Sequence, residues 1–135
     1  TDRRGGLEVN IALDTNAYSD FMRGVASRVE VVRAARSIQM PLFVLAELRA
    51  GFAAGNQEST NAANLQRFLN SPRVSILLPD EQTTHHYAQL YLDLRRKGAA
   101  VPMNDLWIAA LAVQHNLVLC TSDAHFDHFA RLARC

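Results

Sequence analysis

Four short apolar runs, each closed by polar or turn-forming residues and separated by stretches of helical periodicity, limit what this chain can become. Val9, Ile11 and Leu13 make the first, "MPLFV" the second, "VSILL" the third and "LVLCT" the fourth. Each is too short for a helix and reads as a buried strand. Between the first two, Val25, Val29, Val32 and Ala35 recur at helical spacing, predicting a helix that closes near Ile38. Leu45, Leu48 and Phe52 make a second stripe, with Gly55 as its stop. Ser59 or Thr60 caps a third helix carrying Ala62, Leu65 and Leu69. Asp80 opens a long helix with Tyr87, Leu90, Tyr91 and Leu94 on one face. Its closing Arg95, Arg96 and Lys97 read as charge that favours the helix dipole before Gly98, in preference to a phosphate-binding patch. "MNDLWIAALAVQHN" is apolar almost all round, as a helix at the domain centre must be, and "SDAHFDHF" starts a short final helix. Strands alternating with helices predict a three-layer α/β/α fold around a mainly parallel sheet of four to five strands, with right-handed crossovers.

A length of 135 residues suits one domain over 1–135, large enough to bury a core without disulfides or structural metal. The polar start "TDRRGG" lacks an apolar signal region and an initiator Met, so residues 1–7 are expected to form a flexible or trimmed terminus. No apolar stretch is long enough to cross a bilayer, which argues against a membrane role. Cys120 reads as a buried thiol and Cys135 as unrelated to it; neither has a partner at zinc-ligand spacing, and a reducing, cytoplasmic setting follows. The net charge of +1 announces no basic field for nucleic acid. The cations are nevertheless almost all Arg, whose planar fork suits phosphate.

Four carboxylates stand out by position. Asp14 follows the first strand, Glu47 sits in the first turn after the second, and Asp123 follows the fourth. Asp105 opens the central helix. Open α/β sheets place ligands beyond the carboxyl ends of their strands. Taken singly, Asp14, Asp105 and Asp123 read as helix caps and Glu47 as a dipole-favoured acid. Gathered in one crevice, the four repel one another unless cations neutralise them, and oxygen ligands without His or Cys suit Mg²⁺ or Mn²⁺. Metal-dependent phosphodiester hydrolysis is the chemistry such a cluster supports.

"LDTNAYSD", "LAELRAG", "MNDLWIAALA" and "TSDAHF", in that order, resemble the four signature blocks of PIN-domain ribonucleases, and most of all the toxin half of bacterial VapBC-type toxin-antitoxin pairs. The likeness runs from about the first strand to the last helix. It implies that Asp14, Glu47, Asp105 and Asp123 form an acidic Mg²⁺ or Mn²⁺ site, with Asp14 and Asp105 the most direct ligands. Glu47 and Asp123 would complete the shell, partly through water. Asn16, at the start of a polar turn, and Thr121 would hold carboxylates by hydrogen bonds. The resemblance also implies an endoribonuclease toxin acting on structured cellular RNA such as tRNA or rRNA, neutralised by a small antitoxin and often homodimeric. Two departures stand beside it: the modest net charge, and an "ARLARC" tail too brief for the family's last strand.

His85, His86, His115 and His128 read as surface residues, and solvent exposure is the default for His125 too, with contact to a scissile phosphate, two positions after Asp123, as the alternative. Trp107 reads as core. Phosphoryl transfer through Asp14 is disfavoured, because Asn16 stands where a haloacid-dehalogenase-type domain needs a second Asp. A receiver-type domain needs a lysine after a late strand, and the only lysine, Lys97, ends a helix. The remaining alternative is a catalytically idle binding module acting through a protein partner.

Overall fold

The computed structural model describes residues 9–135, so the terminus expected at 1–7 lies outside the described residues. Strands β1 (Asn10–Leu13), β2 (Ser37–Pro41), β3 (Val74–Leu77) and β4 (Val118–Cys120) form one sheet in the order β3-β2-β1-β4. Every neighbouring pair is parallel. Ile11, Ala12 and Leu13 are wholly buried, as a central parallel strand covered on both faces requires. Helices α1 (Thr15–Met22), α2 (Ala26–Ala34), α3 (Leu42–Ala54), α4 (Glu58–Leu69), α5 (Glu81–Lys97) and α6 (Met103–Gln114) flank the sheet. The expected α/β class and parallel sheet are the ones the chain adopts. No helix among the described residues is long and apolar enough to cross a membrane.

The chain builds β1, β2 and β3 outward in one direction, then returns through α5 and α6 to lay β4 on the other side of β1. That reversal leaves a crevice at the carboxyl ends of β1 and β4, the place where open sheets bind ligands. Helix α6 carries the centre of the core: Leu106, Ile108, Ala109, Ala110, Leu111 and Ala112 are all buried. Trp107, expected in the core, is half-buried instead: it stacks on Phe43 at 5.5 Å and packs on Tyr87 at 4.4 Å at the edge of the core. Asp80 and Thr83 close a capping box at the start of α5, and Gly98 ends it with φ +68°, a left-handed turn that a side chain would strain.

Several elements differ from their sequence-based outlines. The segment "TNAYSD", expected as a polar turn, is the body of α1, because Asp14 caps it and Tyr18 buries its inner face. The helix expected to reach Ile38 ends at Ala34. There Arg73 donates to the carbonyls of Val32 (3.0 Å) and Ala35 (2.6 Å), and buried Ile38 belongs to β2. β2 therefore ends at Pro41, and "LFV" opens α3, which puts Glu47 in the second helical turn instead of the first. Pro supplies the break: it cannot donate to a ladder, but its fixed φ is tolerated where a helix begins. Gln57, not Ser59 or Thr60, occupies the cap position of α4. Tyr91 stays exposed while Leu90 and Leu94 turn inward.

The tail supplies the largest correction. Leu119 donates to the Ala133 carbonyl (2.9 Å), Cys135 to the Leu119 carbonyl (2.9 Å), and Thr121 to the Cys135 main-chain oxygen (3.2 Å). "ARLARC" thus runs parallel to β4 through a single bridge, Leu119 to Arg134, and serves where a further strand was expected to be missing. The same pairing brings the Cα atoms of Cys120 and Cys135 to 4.7 Å, and the two form a disulfide. Cys120 is buried as expected, but it is not a free thiol. Spacing along the chain could not show this, because the two residues meet only when the tail folds back onto the sheet.

Core burial and edge exposure set different tolerances. Leu65 is fully buried, so Leu65→Ala is expected to lower unfolding free energy by about 2–5 kcal/mol in urea titrations. Leu78, just past the open edge strand, is 59% exposed, and Leu78→Ser is expected to stay within about 0.5 kcal/mol.

Candidate active site

Four elements deliver one acid each to the crevice. β1 ends at Leu13, and Asp14 takes the extended conformation of an N-cap, its carboxylate accepting from the Ala17 N–H (2.8 Å). The other oxygen accepts from the Thr121 hydroxyl, beyond β4. That hydroxyl in turn accepts from the Asp123 N–H (2.9 Å), so Thr121 links the ends of β1 and β4. Asp123 caps the 3-10 turn Ala124–His128 through the His125 N–H (2.9 Å). Glu47 reaches in from α3, where Thr15 donates to one oxygen (2.7 Å) and Asn104 to the other (3.3 Å). Asp105, in the first turn of α6, is buried and receives the His125 ring nitrogen at 2.9 Å.

Asp14, Glu47, Asp105 and Asp123 line one cleft of about 230 Å³, together with Thr15, Asn16, Ile108 and Phe126. Asn16 is exposed at its rim; the neighbouring Thr15, not Asn16, holds a carboxylate. Thr121, expected to hold a carboxylate, donates its hydroxyl to Asp14, the acid at the end of the neighbouring strand.

A PIN-domain family model matches residues 11–132, nearly the whole described chain. Ribonuclease VapC1 of Haemophilus influenzae is 34% identical over 113 residues, 81% of this chain and 83% of that one. This chain belongs to the PIN-domain family, in its VapC branch. Among solved structures, VapBC2 from Rickettsia felis, bound to a DNA fragment from its promoter, aligns with a TM-score of 0.80 at 26% identity. That alignment covers 93% of this chain and 97% of the other. VapBC-1 from nontypeable Haemophilus influenzae aligns with a TM-score of 0.79 at 26% identity, covering 93% and 96%.

In this PIN domain, burial is the main force on the two innermost acids. It pushes the Asp14 carboxyl above its ordinary range, against the Thr121 and Ala17 hydrogen bonds and the Arg28 charge, while Asp123 adds to the rise. Asp105 is likewise raised, first by burial, and then by the charges of Asp123 and Glu47, with the His125 contact opposing. Three supporting residues escaped the sequence reading. Thr15 and Asn104 adjoin Asp14 and Asp105, and that adjacency is the only signal the chain offers for them. Arg28 is buried on α2, donating to the Ser122 hydroxyl (3.1 Å) and the Cys135 main-chain oxygen (3.3 Å), and nothing in its local sequence marks it.

A carboxyl that holds its proton more tightly in the folded state than in the unfolded one favours folding at low pH. The stability linked to Asp14 and Asp105 is complete below the unfolded value of about 3.9 and is lost as pH rises through their raised folded values. Asp14→Asn is expected to remove part of this loss. Without divalent ions its melting temperature should exceed the parent's at pH 7, the gap closing towards pH 4 in paired thermal melts.

Proposed function

We propose that this PIN domain is a Mg²⁺- or Mn²⁺-dependent endoribonuclease, the toxin of a toxin-antitoxin pair, hydrolysing phosphodiester bonds in cellular RNA such as tRNA or rRNA. The observation that carries this reading is the arrival of four carboxylates from four elements in one cleft at the switch point of a parallel sheet. The curated VapC relatives are ribonucleases by name, and the aligned solved structures are VapBC proteins. An antitoxin that covers the acidic cleft belongs to the same proposal. So does a homodimer, for which Tyr91, Leu92 and Met103 are apolar side chains left in solvent that association would cover.

The donor set fits a hard divalent cation. Asp14 and Asp105 are buried carboxylates whose ionised form is disfavoured without a positive charge beside them. Asp14 and Asp105 would hold the ion directly, and Glu47 and Asp123 would complete its surroundings. When bound, the ion supplies charge that acidifies the attacking water and offsets the negative charge growing on the leaving oxygen. Thr121 keeps Asp14 and Asp123 in register across two strand ends. Thr15 and Asn104 fix both oxygens of Glu47, so this acid is oriented to align a water for in-line attack. Unpaired RNA suits the cleft, since exposed bases can be splayed away from the phosphate being cut. Action on cellular RNA would put the enzyme in the cytoplasm, where cysteine pairs are kept reduced; the Cys120–Cys135 disulfide of the structure would be opened there, with the main-chain bonds of the tail keeping the two thiols adjacent.

Incubation of antitoxin-free protein with total RNA in Mn²⁺, Mg²⁺ or EDTA tests the proposal. Cleavage is expected with either ion and not with EDTA, and Asp14→Asn or Asp105→Asn is expected to lower the rate about a hundredfold or more. Thr121→Val removes only a positioning bond and is expected to cost about tenfold. If folded protein leaves RNA intact under every condition, the nuclease reading fails and the binding-module alternative replaces it.

A further inference from the structure

A ring nitrogen stands beside two of the cleft's acids. The His125 Nδ1 atom lies 2.9 Å from an Asp105 oxygen and 3.2 Å from an Asp123 oxygen. One ligand atom from each of the three residues falls within 4.8 Å of the others. Adjacent ligands of an octahedral ion with bonds of about 2.1 Å stand about 3.0 Å apart, so both separations, which are also those of hydrogen bonds, are compatible with an octahedral edge. The 3-10 turn is responsible: with Asp123 capping it, the backbone folds His125 back over its own cap residue and across to the start of α6. The His125 side chain is 47% exposed and that of Asp105 13% exposed, so the trio opens to solvent on the imidazole side.

Resting on the acidic site proposed above, we propose that His125 is a nitrogen ligand which, with Asp105 and Asp123, makes a mixed oxygen-nitrogen face selecting Mn²⁺ or another first-row transition ion over Mg²⁺. In the structure Nδ1 faces the Asp105 carboxylate at hydrogen-bond distance; an ion that displaces the proton between them leaves the imidazole protonated on Nε2, with the Nδ1 lone pair directed at the ion. Imidazole nitrogen suits transition ions, whereas Mg²⁺ takes oxygen. The carboxylates alone leave the choice of ion open, and His125 narrows it.

The test uses the full chain stripped with EDTA, titrated with Mn²⁺ under electron paramagnetic resonance, with Mg²⁺ as competitor. Electron spin-echo modulation reports any directly bound ¹⁴N. The parent adduct is expected to show coordinated nitrogen. In His125→Gln that signal should vanish and Mn²⁺ affinity should fall about tenfold or more, while Mg²⁺ affinity changes by less than about twofold. Absence of nitrogen from the parent adduct, or equal weakening of both ions in His125→Gln, overturns the assignment. Asp105→Asn separates the two levels. If it abolishes Mn²⁺ binding while His125→Gln has no effect, only the histidine assignment falls. If Mn²⁺ binds undiminished to Asp105→Asn, the acidic site itself falls, and this inference with it.

Discussion

Asp14 sits where the most buried strand of the sheet leaves the core, and the cost of keeping a carboxylate there shapes the surrounding structure. Its oxygens receive the Ala17 N–H and the Thr121 hydroxyl, and buried Arg28 contributes opposite charge from α2. Without those partners a carboxylate at 4% exposure would be an uncompensated buried charge, a defect of several kcal/mol in proteins generally. With them, the acid still prefers its proton more than a surface carboxylate does. A positive charge beside it would relieve that residual preference, and this is the physical basis for the cation in the proposed function.

The support of Asp14 draws in distant parts of the chain. Arg28 bonds to Ser122 and to the Cys135 main-chain oxygen, and the tail ending in Cys135 is held along β4 by its main-chain bonds. At the other end of α5, Lys97 donates to the His128 carbonyl (2.6 Å) and ties the basic helix end to the 3-10 turn beside Asp123. The trio of cations read from the sequence as dipole compensation therefore includes one residue that also bonds to the 3-10 turn. Glu47 is fixed from two helices at once, by Thr15 on α1 and Asn104 on α6. Asp14, Glu47 and Asp105 are each held by a residue that lies beside a different acid, and Asp123 by Thr121 and His125 on its own turn, which also hold Asp14 and Asp105, so the four form a set.

Much of the fold could be read from residue order, because hydrophobic period and turn chemistry are local properties. The strands at Ile11, Val74 and Leu119, the long helix from Asp80 to Gly98 and the buried central helix all lie where those patterns put them. Boundaries were misread where a tertiary contact overrode the local pattern. Arg73 ends α2 early, and Pro41 switches strand to helix before "LFV" can continue as a strand. The tail was misjudged because its pairing with β4 is between residues remote in order from the strand's own signals, and the Cys120–Cys135 bond follows from that pairing alone.

The sequence by itself determined the alternation of strand and helix, the placing of Asp14 and Asp123 just beyond strand ends, and that of Glu47 on the helix after the second strand. These depend on side-chain period and capping, which act over a few residues. Only the tertiary structure decided that Asp105 joins them, that Thr15 and Asn104 hold Glu47, and that His125 stands at bonding distance among the acids. The physical reason is the return of the chain through α5 and α6, which sets β4 beside β1 and closes the cleft. Distances across such a crossover are set by how helices pack on the sheet, and no local property of the residues at either end encodes them.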